Sequence, residues 1–72
     1  MLKLKEILKN NNIKMLTISK LLNIDYSTLK SKMNCKHDFK INELEKIKSY
    51  LVELNILNEN FDIGEFLNIV EE

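Results

Sequence analysis

The chain contains no proline and a single glycine, Gly64. A β-rich fold of this size needs many tight turns, and the residues that make them are almost missing here. What remains is a set of helices joined by short polar loops, and the abundant Lys and Glu favour helix. Seventy-two residues suffice for one domain and are too few for two. A domain this small buries only about 60% of the surface its unfolded chain exposes, so nearly every apolar residue is needed for one core. A deep catalytic cleft is not expected. Hydrophobic residues at 44% and charged residues at 31% give a globular balance.

Several chemistries are left without their residues. Cys35 is the only cysteine and His37 the only histidine, so neither an intrachain disulfide nor a four-ligand zinc site can form from them. No apolar run approaches the ~20 residues of a membrane span. The first residues alternate Lys and Leu without the apolar centre of a signal peptide. No nucleophile–His–acid set or carboxylate pair can be assembled that also leaves a core. The expectations are a cytoplasmic protein that is not an enzyme, with no metal and no cofactor.

Apolar periodicity places five helices. Leu4, Ile7 and Leu8 mark one over about 2–10, which Asn10, Asn11 and Asn12 end, because Asn tolerates left-handed backbone. Ile18, Leu21 and Leu22 mark a second over 15–22, preceded by Lys14, a poor N-cap. Asn23 can take the positive φ of a tight turn, and Ile24 plugs it. Asp25 is the expected N-cap of a third helix over 26–33, whose inner stripe is Leu29 and Met33. Residues 34–40 form a loop anchored by Phe39. Leu44, Ile47, Leu51 and Leu54 mark a fourth helix over 41–54. Asp62 caps a fifth over 63–71 with Ile63, Phe66, Leu67 and Val70 on one face.

The net charge of zero hides an asymmetry. Residues 1–40 carry nine Lys against three acids and are +6, whereas residues 41–72 carry two Lys against eight acids and are −6. A basic working face with an acidic remainder is the functional interpretation, and plain solvation of helix surfaces is the bland one. The third helix favours the first. It starts abruptly, buries a narrow stripe and offers Tyr26, Ser27, Thr28, Lys30, Ser31 and Lys32 without one acid. A short helix, a tight turn and such a second helix define a helix-turn-helix over 16–33, whose second helix enters a DNA major groove. Tyr26 follows the cap directly, and that place at the very start of the helix favours exposure over a place in the core.

The run Ile18–Leu29, Ile-Ser-Lys-Leu-Leu-Asn-Ile-Asp-Tyr-Ser-Thr-Leu, resembles the helix-turn-helix of the lambdoid phage repressor and Cro-like family. Residues 32–39 resemble that family's following loop and Ile41–Leu51 its fourth helix, so the resemblance covers about residues 3–54. Its most specific part is Ser27–Thr28–Leu29 followed at fixed distance by Asp38–Phe39. The chain departs where the family often has Gly (Asn23 and Cys35) and where it usually has Thr or Ser (Lys14). The resemblance implies an all-α, compact five-helix lambda-repressor-like domain over 1–72. It implies that Tyr26, Ser27 and Ser31 face bases, that Thr28 and Lys30 neighbour phosphates or bases, and that Lys32, Lys36 and His37 flank the backbone with Lys14 and Lys20 nearby. Lys on phosphate gives salt-sensitive affinity. The chain has no Arg, so the commonest bidentate contact to guanine is open only to Lys.

The last helix serves either as a cap on the domain's own core or, through Ile63, Phe66, Leu67 and Val70, as part of a two-fold homodimer interface. Two functions are expected. One is a sequence-specific transcriptional regulator of phage or mobile-element type, repressing from a palindromic operator as a homodimer on double-stranded DNA. The other is a protein-binding helix-turn-helix module, an inhibitor of a host system or an antitoxin-like adaptor, which the zero net charge and acidic last third keep open.

Overall fold

The computed structural model describes residues 1–71. Four α-helices follow one another as α1 (Lys3–Asn10), α2 (Met15–Leu22), α3 (Tyr26–Met33) and α4 (Ile41–Glu53), and a 3-10 turn spans Ile63–Leu67. Among the described residues there is no strand, only an isolated antiparallel bridge between Leu2 and Ile69. α2 packs on α3 and on α4, while the 3-10 turn packs on α1 and α4. The Cα radius of gyration, 11.2 Å, matches the roughly 11 Å of a closely packed chain of this length. Among the described residues no helix is long and apolar enough to cross a membrane.

The core consists of the periodic residues. Leu4, Leu8, Ile18, Leu22, Leu29, Met33, Leu44, Ile47, Leu51 and Phe66 are buried together, with Leu2 and Phe39 from outside the helices. Leu54 does not join them. It lies one residue beyond the last turn of α4 and is exposed.

The helix ends show one device used four times. Asn12, Asn23, Cys35 and Asn55 have φ of 56°, 56°, 62° and 59°. Each sits in a Schellman motif, in which its own N–H and the next one turn back onto helix carbonyls. The second bond runs from Ile13 to Leu8, Ile24 to Ser19, Lys36 to Ser31 and Ile56 to Leu51, at 2.9–3.0 Å. Three of the four ends therefore read Asn–Ile, and the isoleucine is half-buried against the core each time. Asn supplies the left-handed residue that glycine would otherwise supply, which explains how a chain with one glycine turns so often.

The helix starts are less well provided. The N-cap residues of α1 to α4 are Leu2, Lys14, Asp25 and Lys40, and none accepts a helix N–H through its side chain. Asp25 has the extended backbone of an N-cap, but its carboxylate makes no cap hydrogen bond. The expected Asp25 cap is thus corrected to a conformational one.

The fifth helix is also corrected. The Asp62 carboxylate does accept from the Gly64 N–H at 2.9 Å, but the helix it starts is a five-residue 3-10 turn. Beyond it Asn68 is extended, and the N-terminus takes the backbone groups a helix would have used. The Lys3 N–H donates to the Asn68 carbonyl at 2.7 Å and the Val70 N–H to the Met1 carbonyl at 2.8 Å. A long-range pairing has overridden a local helical pattern. β-Branched Ile69 and Val70 suit it.

Candidate nucleic-acid interface

Three residues, Asn23 to Asp25, join α2 to α3. The turn holds because Asn23 takes the left-handed conformation and Ile24 is half-buried against the core. α3 presses Leu29 and Met33 inward, both buried. At 100° per residue, Ser27, Thr28, Ser31 and Asn34 then fall on the opposite side and Lys30 on its flank. Ser27, Lys30 and Asn34 are exposed, and Ser31 and Thr28 are half-buried. Tyr26 is 46% exposed at the head of the helix. Lys14 and Lys20 on α2, and Lys36 and His37 after α3, are exposed too.

Lys14 is placed at a cost. It is the N-cap of α2, a cation at the positive end of a helix dipole, with no side-chain cap bond to offset it. An anion seated there would relieve the repulsion. Lys40 holds the corresponding place on α4, and there the conflict is settled internally. The Glu43 Oε1 atom accepts from the Lys40 backbone N–H at 2.8 Å, closing the helix start.

One expected surface residue is not on the surface. Lys32 is 8% exposed. Its Nζ donates to Glu43 Oε1 at 2.6 Å and lies 5.9 Å from the centroid of the Phe39 ring. Burial works to raise the Glu43 pKa, but the hydrogen bonds from Lys32 and from the Lys40 backbone, with the charges of both lysines, hold it below its ordinary value of 4.5. Lys32 is therefore corrected from a backbone-flanking cation to half of a buried ion pair. Its place on the helix, three residues after Leu29, turns it towards α4.

Asn34, a loop residue by sequence, belongs to this face: its N–H still bonds the Lys30 carbonyl at 3.0 Å and it continues the outer side of α3. Following the 3.6-residue period one step past Met33 would have found it.

The expected apolar face at the C-terminus is divided. Phe66 is fully buried in the chain's own core, its ring centroid 4.8 Å from that of Phe61. Ile63 and Val70 are half-buried and Leu67 is exposed. With the helix gone, these four do not form one face, and Phe66 has no surface to offer a partner. Ile69 is the most exposed large apolar side chain, at 70%. It lines, with Leu67, Phe39 and His37, a shallow groove of about 380 Å³. Among the described residues no three His, Cys, Asp or Glu side chains come together to hold a metal. No protein-family model, characterised protein or solved structure matches the chain.

Proposed function

We propose that the chain is a sequence-specific DNA-binding regulator with a lambda-repressor-like fold. The observation that carries the proposal is the outer face of α3. The helix packs on α2, is joined to it by three residues, and presents Tyr26, Ser27, Lys30 and Asn34 to solvent without one acidic side chain. A helix of this kind fits a major groove with its N-terminal residues at base edges. Tyr26 and Ser27 are the base readers with Ser31 behind them, and Thr28 stands beside them. Asn34 adds an amide able to pair with adenine.

Lys14, Lys20, Lys30 and Lys36, with His37, supply the phosphate contacts. Four lysines correspond to a slope of log affinity against log salt of about −3 to −4 per protomer. The unopposed cation at the start of α2 supports an anionic ligand at that end. Without arginine the discrimination per protomer is modest, so repression in phage or mobile-element style would use a homodimer on a palindromic operator. Leu67 and Ile69, with Val70 and Ile63 beside them, are the candidate dimer contacts in place of Phe66. The same exposed Leu67 and Ile69 favour the second reading, a protein-binding module, if no DNA is bound.

The experiment is fluorescence anisotropy of a labelled random duplex, and of the promoter adjoining the gene, at low and moderate salt. Binding to both at low salt, with promoter preference surviving at moderate salt, is expected. Absence of binding to either at low salt contradicts the DNA reading.

A further inference from the structure

We infer that Lys32 is a positioning residue, holding the end of α3 so that Lys36 and His37 can face the ligand. The inference rests on the DNA reading for what that ligand is. Three helix ends are fastened by an isoleucine, half-buried directly after the left-handed asparagine. At the end of α3 that position is Lys36, which is exposed. The apolar fastening is missing there, although the Schellman bonds from Cys35 to Lys32 and from Lys36 to Ser31 are made, at 3.1 and 2.9 Å.

The Lys32–Glu43 pair stands in its place. α3 packs chiefly on α2, whereas it is α2 and the 3-10 turn that pack closely on α4. The contact of Lys32 Nζ with Glu43 Oε1 therefore gives the end of α3 a direct tie to α4. The same oxygen accepts from the Lys40 N–H, so one atom gathers the end of α3, the close of the loop and the start of α4. Phe39 covers the ammonium from the loop side. The segment between, Met33 to Phe39, is closed at its base and carries Lys36 and His37 outward. Fastening by a buried charge leaves the residue after Cys35 free to be a lysine.

The test compares Lys32→Met, Glu43→Gln and Lys36→Met with the whole chain, on a short duplex over a salt series, with amide hydrogen exchange alongside. Lys36→Met is expected to lower the salt slope by about 0.9 per protomer. Lys32→Met should leave the slope at its original value and weaken binding about fivefold, as residues that act without touching the ligand do. Glu43→Gln separates the two roles by sign. If Lys32 positions, binding weakens; if Lys32 contacts phosphate, removing its carboxylate partner strengthens binding. The Cys35 and Lys36 amides should exchange faster in both variants, relative to those of Asn23 and Ile24. Ile56→Ala is the control for general destabilisation and should leave affinity unchanged.

A slope lowered by about 0.9 in Lys32→Met, or tighter binding by Glu43→Gln, overturns the inference. Glu43→Gln keeps a cap acceptor and decides the matter alone should Lys32→Met not fold. If the unaltered chain binds no duplex, the DNA reading fails by itself. The exchange comparison then decides about the fastening, and unchanged protection at Cys35 and Lys36 would overturn it.

Discussion

The end of α2 and the end of α3 use the same backbone turn and opposite chemistry. At α2 the left-handed residue is Asn23 and the next is Ile24, half-buried against the core. At α3 the left-handed residue is Cys35 and the next is the exposed Lys36. The first arrangement is repeated after α1 and α4 and follows the rules of helix termination throughout. The second breaks two of them, with a poor left-handed residue and no apolar contact. Local rules are most often broken where a site needs something else. Here three ends are closed by an apolar residue, and the end that carries Lys36 and His37 is held by charge.

The largest effect comes from breaking the charged fastening. Lys32→Met leaves the buried Glu43 carboxylate with only the Lys40 N–H as partner and should cost about 3 kcal/mol, the low end for breaking a buried pair, in urea denaturation. Lys32→Met/Glu43→Leu removes both charges and should recover most of that loss. Should the single variant cost no more than the double, the pair is not the fastening. Next is the apolar kind. Ile24→Ala or Ile56→Ala should cost about 1–2 kcal/mol, the low end for aliphatic truncation because each is only half-buried.

The pH dependence sharpens the contrast further. The Glu43 pKa is lower in the folded chain than its ordinary 4.5, so its contribution is complete above that value and lost as pH falls through the folded value. The unaltered chain should lose stability below about pH 4.5 more steeply than Glu43→Gln does. Parallel acid curves would contradict this. A smaller effect is expected at the left-handed residues. Cys35→Gly should raise stability by roughly 1 kcal/mol, since a side chain at φ 62° is relieved. Asn23→Gly should gain less, because Asn tolerates that conformation. The smallest change is Asp25→Ala. A side chain without a cap bond should cost less than the ~1 kcal/mol typical of a capping residue.

Most of the helical framework was legible because two independent signals agreed. The 3.6-residue spacing of Leu and Ile gave each helix its inner face, and the asparagines gave the ends of α1 and α2 within a residue. The C-terminal segment misled because Ile63, Phe66, Leu67 and Val70 have helical spacing. Its conformation is set by the backbone of Met1 to Lys3, far away in sequence. Lys32 was misread for a similar reason. Nothing beside it distinguishes it from Lys30, and its partner lies eleven residues on. Local pattern finds faces and ends, while partners brought in by the fold stay hidden.

The proposed ligand of the face of α3, with the start of α2 and the Lys36–His37 segment, is duplex DNA. The most direct measurement is a backbone amide NMR titration of the labelled chain with a short duplex at low salt. Shifts concentrated at residues 14–20 and 26–37, weakening as salt is added, are predicted. Shifts confined to Leu67–Glu71, or none at all, would contradict the DNA reading and turn attention to a protein partner.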